Sequence, residues 1–314
     1  MLQNYFHNQV YNVTVKYLRH IDIDKKKWDN CIARSCNGLI YSTSVYLDCM
    51  ATHWDGLIMD DYAAVMPLPF RKKYGFHYVY PPAFSQQMGI TSLHEITIEV
   101  IAAFLKNIPA KFSYVEMNFN VYNLYQYENE KERLNYILPL NSSFETIKKN
   151  FSRSALRNIK KAQNEKIIVR ENVSFTEIIN IHRSRFNDAV GANAADYNRL
   201  ATLFYELQKT NLIFTTGAYD PKGTLIGGSI YFVFKNRITF IINGNTPESL
   251  KNGATHLLMY ETIKKFSNTG SILDFEGSDF PEFARFYQQY GSTAEMYKLV
   301  KINKLPWPFS LLKR

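Results

Sequence analysis

The strongest constraint on this chain of 314 residues is that one order of elements can be read in it twice. In the second half, residues 212–219 read as a strand, Asp220-Pro221-Lys222-Gly223 as a turn, and residues 224–234 as a second strand rich in apolar and aromatic side chains. Lys235-Asn236 leaves two residues before a third strand at 237–243, which completes an antiparallel meander. A polar stretch at 244–253 precedes residues 254–266, whose apolar Leu257, Leu258, Tyr260 and Ile263 predict a helix packed on one side. A short strand at 271–275, a helix at 281–290 with Pro281 in its first turn, and a last strand at 294–302 finish the order β-β-β-α-β-α-β.

The first half repeats this order without repeating the letters. Strands at 54–59, 62–70 and 74–81 form a candidate meander, followed by a helix at 92–105, a strand at 112–118, a short helical or irregular piece at 122–131 and a strand at 135–140. A degenerate duplication with its join near Asn141-Ser142 is therefore expected. Residues 1–141 and 142–314 would be two domains of an α+β fold, each a mixed, mostly antiparallel sheet flanked by helices. Length agrees, because single hydrophobic cores stop growing at roughly 250–300 residues.

Composition narrows the class. With 46% apolar and 15% aromatic residues the chain is neither disordered nor a disulfide-stapled miniprotein. Cys31, Cys36 and Cys49 are an odd set without a second Cys or His cluster, so free buried thiols and no metal are expected. No apolar stretch reaches the ~18–20 residues of a membrane span, and Met1-Leu2-Gln3-Asn4-Tyr5 lacks the layout of a signal peptide; a cytoplasmic protein is expected. Thirty-seven Lys and Arg against 28 Asp and Glu give +9, which favours anionic partners such as coenzyme A, nucleotide-linked sugars, tRNA or anionic lipid heads. No Gly-x-Ser-x-Gly elbow, P-loop or Gly-x-Gly-x-x-Gly fingerprint occurs, which argues against a serine hydrolase, a P-loop NTPase and a dinucleotide dehydrogenase.

Several segments could carry chemistry. On a helix predicted over 144–164, Lys149, Arg153, Arg157, Lys160 and Lys161 share a third of the circumference, opposite Phe144, Ile147, Phe151, Ala155, Ile159 and Ala162. That basic face is either solvated surface or a phosphate or nucleic-acid contact, with Arg153 and Arg157 as the substrate-facing candidates. A helix opening at Gly253-Ala254-Thr255 offers backbone N–H groups and a positive dipole end to a pyrophosphate, or is an ordinary helix after an ordinary loop. The ligand-facing set would be Ile242, Asn243 and Gly244 with Asn252, Gly253, Ala254, Thr255 and His256.

Carboxylates are candidate general bases. Asp274 and Glu276 alternate on the predicted strand and so share one face, with Glu276 favoured at the strand's exit and Asp279 a weaker candidate; a surface or loop-capping role is the other reading. The strip Tyr74, Phe76, Tyr78, Tyr80 is either sheet packing or a substrate platform ending in Tyr80. Gln86 and Gln87, after Pro81-Pro82, are candidates to line a groove between the halves.

The segment Ala284-Arg285-Phe286-Tyr287-Gln288-Gln289-Tyr290-Gly291 resembles a signature of the GNAT acyltransferase superfamily. That resemblance makes Tyr287 the group that protonates a leaving thiolate, a role a phenol of pKa ~10 can fill at neutral pH. The duplication, the stretch 152–162, the run Leu273-Asp274-Phe275-Glu276-Gly277-Ser278 and the stretch 54–89 look more specifically like the Fem-type tandem-GNAT branch. The resemblance implies acyl transfer from acyl-CoA to an amine or hydroxyl of a small-molecule or cell-wall-precursor acceptor. Its alternatives are aminoacyl-tRNA-dependent transfer to a cell-wall precursor, with tRNA as partner and no DNA, and a non-catalytic binding protein. The chain departs from the pattern in two places: Leu250 and Thr255 fill the outer positions of the pyrophosphate loop around Gly253, and Phe286-Tyr287 stands where Fem-type ligases commonly have Phe-Lys.

Overall fold

The computed structural model describes residues 14–123, 130–186, 192–277 and 281–313. In the first half the elements are β1 (Val15–Leu18), α1 (Lys25–Arg34), α2 (Ser44–Met50), β2 (His53–Met59), β3 (Ala64–Lys73), β4 (Phe76–Val79), the short β5 (Thr91–Ser92), α3 (Ile98–Lys106), β6 (Phe112–Phe119) and β7 (Glu130–Pro139). The second half has α4 (Phe144–Lys148), α5 (Arg153–Asn164), β8 (Ile168–Glu171), α6 (Phe175–Phe186), α7 (Ala194–Gln208), β9 (Ile213–Tyr219), β10 (Leu225–Phe234), β11 (Arg237–Asn245), α8 (Pro247–Asn252), α9 (Ala254–Phe266), β12 (Ile272–Asp274), α10 (Pro281–Gln288) and β13 (Thr293–Asn303). The expected tandem order is present, with β1, α1, α2, β8, α6 and α7 added around it. The piece expected at 122–131 falls largely outside the described residues.

The strands of both halves join one mixed sheet in the order β1-β2-β3-β4-β6-β13-β7-β12-β11-β10-β9-β8. The last strand of each half crosses the seam: β13 lies between β6 and β7, and β7 lies between β13 and β12. Seam residues from distant parts of the chain therefore become neighbours, such as Asn135 opposite Glu295. One core lies under the first-half strands and takes in α6 and α7, while the second lies between β7, β9–β12 and the helices α5, α9 and α10.

The basic helix is shorter than its periodicity predicts. Residues 144–164 split into α4 and α5 because the Ser152 hydroxyl accepts from Ala155 N–H at 3.1 Å, capping a new helix, while Ser152 N–H donates to the Gln289 carbonyl at 2.8 Å. The predicted polar loop at 244–253 contains α8, capped by Thr246 with Pro247 at its first turn. Of the three free cysteines Cys31 is buried as expected, but Cys49 is half-buried and Cys36 exposed, so apolar burial does not account for Cys36. Among the described residues no helix is long and apolar enough to cross a membrane.

Candidate active site at the seam of the sheet

Two strand pairs in the sheet run parallel, β4 with β6 and β11 with β12, and each parts after a few residues. In the first half the chain closes its own gap: after Val79 it loops out and returns, and Met88 bonds back to the β6 edge at Asn118 and Asn120. In the second half β11 and β12 pair from Arg237↔Ile272 to Thr239↔Asp274, and then β11 runs on to Asn245 paired, among the described residues, only with β10. Register shifts where Ile230 pairs Ile242 but Tyr231 pairs Phe240, so Ile241 is an extra residue that bends β11 at the gap. Among the described residues no other backbone segment bonds to β11 past Thr239 on that side.

Tyr287 of α10 borders this gap. Its ring stacks on Phe275 at 4.7 Å, and a Cβ placed on Gly277 would lie 3.9 Å from its hydroxyl, so the hydroxyl is at the turn where the chain leaves β12. Burial pushes the phenol pKa up, and the nearby carboxyls of Glu276 and Asp274 push it further, so the group keeps its proton at neutral pH. Glu276, with φ at 51°, forms that turn, and burial raises its carboxyl well above the usual range. The structure thus brings together Tyr287, Glu276 and Asp274.

Asp274 is 1% exposed. It accepts hydrogen bonds from Asn135 Nδ2 at 3.0 Å and the Glu276 N–H at 3.1 Å, and pairs with the Arg237 guanidinium. Glu295 lies 3.8 Å from Arg237 and 3.4 Å from Asn135 Nδ2; burial raises its pKa, opposed by Arg237. From the first half, Gln86 Nε2 donates to Asn135 Oδ1 at 3.1 Å, Gln87 Nε2 donates to Gln86 Oε1 at 3.0 Å, and Asn118 Nδ2 donates to the Gln86 carbonyl at 2.7 Å. Gln86 and Gln87 therefore meet Asp274 through Asn135. Asn118, Asn135, Arg237 and Glu295 escaped the sequence reading. Their one signal was polarity within apolar strand runs, and only the strand order reveals that they meet.

The turn expected to cradle a pyrophosphate is turned inward. Gly253, at φ 83°, ends α8 and begins α9, and a Cβ there would lie 2.3 Å from the Asn158 carbonyl oxygen of α5. The close approach that this glycine permits is that of α5. Ala254 N–H donates to Asn252 Oδ1 at 3.0 Å, and the Thr255 hydroxyl donates to Asn245 Oδ1 at 2.7 Å. His256 has Nδ1 2.8 Å from the Tyr290 hydroxyl and a ring 5.0 Å from that of Phe286; burial lowers its pKa to about 4. Ile242 is in the first core, the Asn243 carbonyl accepts from His182 Nδ1 at 2.9 Å, and a Cβ on Gly244 would meet the Ile178 carbonyl of α6 at 2.8 Å. With the Ala254 amide and the Thr255 hydroxyl committed and α5 against Gly253, the turn faces protein and is a poor fit for a pyrophosphate.

Three other expected contacts stand apart. Tyr80 lies under Arg71 at 4.2 Å, and Arg71 reaches Asp196 of α7 at 3.6 Å, so Tyr80 belongs to the clamp between the first sheet and α7. Arg153 and Arg157 are exposed on the outer face of α5. Asp279 lies outside the described residues. Among the described residues no group of His, Cys, Asp and Glu could hold a metal ion.

No family profile matches the sequence, and no curated protein matches it. Solved structures do. The crystal structure of FemX aligns with a TM-score of 0.71 at 12% identity, covering 95% of this chain and 99% of that one. L-PGS from Bacillus licheniformis aligns at 0.54 and 11% identity, covering 92% of this chain and 95% of that one. A tandem GNAT protein from the clavulanic acid biosynthesis pathway aligns at 0.51 and 9% identity, covering 93% and 99%. At these identities the likeness speaks to architecture, and it agrees with the strand order and the parted parallel pair: the chain has the tandem GNAT-like, Fem-type fold.

Proposed function

We propose that the protein is an acyl- or aminoacyltransferase with its reaction centre at the seam of the sheet, and that its two domains divide near residue 141. The observation that carries this reading is the gap beyond Thr239↔Asp274, with the Tyr287 hydroxyl at its edge and the Asp274–Arg237–Asn135–Glu295 network beside it. A donor carbonyl lying in the gap would be polarised by the free edge of β11. The acceptor amine attacks the carbonyl carbon, its proton passing to Glu276 or Glu295, carboxyls whose raised pKa values suit them to accept one. The bond from the carbonyl carbon to the carrier oxygen or sulfur breaks, and Tyr287 protonates that leaving atom. Alignment of the two substrates supplies much of the rate.

For the donor, the inward turn at Gly253 and the exposed cations Arg153, Arg157, Lys160 and Lys161 favour an aminoacyl ester carried on tRNA. The free edge of β11 favours a pantetheine arm, which keeps acyl-CoA as the second reading. Thermal-shift and transfer assays with acyl-CoA donors and with charged tRNA decide between them. The expected result is salt-sensitive dependence on charged tRNA, weakened in Arg153→Glu/Arg157→Glu. A saturable shift and transfer with acyl-CoA alone would reassign the donor, and no response to either would reduce the chain to a binding protein.

A further inference from the structure

One end of the strands β3, β4, β6 and β13 carries an unusual surface. Trp307 is 80% exposed, Tyr74 73%, Leu311 46% and Phe309 36%. The pairings Lys73↔Phe76 and Asn303↔Tyr114 place the tip of the β3–β4 hairpin and the exit of β13 at the same end of the first-half strands. The segment after β13 is held there: Lys304 N–H donates to the Ser113 carbonyl at 2.8 Å, Asn303 Nδ2 to the Ser310 carbonyl at 3.0 Å, and the Phe309 ring packs on Phe76 at 5.3 Å. Lys73 Nζ lies 5.2 Å from the centre of the Tyr74 ring, Lys72 and Lys304 belong to the same two segments, all three are exposed, and no salt bridge to them occurs among the described residues.

We propose that this end is a docking surface for a bilayer rich in anionic headgroups. An exposed tryptophan and tyrosine with a leucine and phenylalanine beside them are costly in water, and at a membrane boundary their apolar bodies enter the acyl region while the polar tips stay wet. Uncompensated lysines around them complement lipid phosphates. Nucleic acid would use the same charges but gives no reason for Leu311 and Phe309. Glu295 and Asn303 are eight residues apart on β13, about 26 Å, so docking leaves the Asp274–Glu295 network uncovered. Nothing in this surface depends on the proposed transfer reaction.

The test uses the full chain with vesicles of phosphatidylcholine alone or mixed with phosphatidylglycerol, scored by flotation and by tryptophan fluorescence. Trp28 and Trp54 are 0% and 3% exposed, so a change on binding reports Trp307. Expected are flotation with the anionic vesicles that weakens in high salt, a blue shift quenched by brominated lipid, and loss of both in Trp307→Ala. Lys72→Gln/Lys73→Gln should lower partitioning about 25-fold, roughly fivefold per lysine. Circular dichroism confirms that each variant is folded. Absence of flotation with either vesicle, flotation unchanged in Trp307→Ala, or these residues proving to bind RNA instead would overturn the proposal.

Discussion

Asp274→Asn is the substitution that most directly tests how the seam is held. The carboxylate is 1% exposed, and it bonds β7 through Asn135 and β11 through Arg237. Asparagine keeps the shape and an acceptor for the Glu276 N–H but removes the charge that balances Arg237. Removing one partner of a buried ion pair costs about 3–5 kcal/mol because the other charge is left stranded. Arg237 retains 16% side-chain exposure and has Glu295 at 3.8 Å, which brings the expected loss to the lower end, about 3 kcal/mol. Equilibrium urea unfolding reads this as a lower midpoint at unchanged slope. In the double change Arg237→Gln/Asp274→Asn the charge left at the site is Glu295, a carboxyl already pushed toward its neutral form by burial, so the double variant should be no less stable than the single variant. A single-variant loss under about 1 kcal/mol, or losses that simply add in the double variant, would refute the reasoning.

Tyr287→Phe should lower turnover about a hundredfold while donor affinity is nearly unchanged, as expected for a proton donor used late in the reaction; equal rates would remove that role. His256 has a folded pKa of about 4 against an ordinary 6.5, so the unfolded chain binds the extra proton first and stability falls as pH drops from about 6.5 to 4. The loss should reach up to about 3 kcal/mol, and His256→Gln should flatten that part of the pH–stability curve; an unchanged curve would show that another group sets it. Gly253→Ala forces a Cβ to within 2.3 Å of the Asn158 carbonyl and onto a residue at φ 83°, and should cost roughly 2 kcal/mol or more, seen as a lowered melting temperature. A neutral outcome would mean that α5 does not lie against the turn.

Local pattern was enough for the elements of the sheet. Apolar and aromatic runs between turn residues marked β9 to β11, and the proline before Glu282 marked α10, because these signals lie within a few residues of each other. The same locality limited the reading elsewhere. The amphipathic stripe over 144–164 runs straight through Ser152, and only the contact with Gln289 shows why the helix restarts there.

The site divides in the same way. Chemistry and spacing singled out Asp274, Glu276 and the Gln86-Gln87 pair as polar groups beside a strand end or a groove, whereas Tyr287 was singled out by the resemblance of residues 284–291 to a family signature. Whether an amide is open to a ligand or already taken is a matter of what packs over it, so the closure of the Gly253 turn by α5 could not be read from its letters. Sequence determined two rounds of one element order, the basic face and the residues with reactive groups, since these follow from neighbours along the chain. Tertiary structure decided that β7 and β13 cross the seam, and hence that Asn135, Asp274 and Glu295 meet, because strand order is set by the burial of whole faces and leaves no local mark.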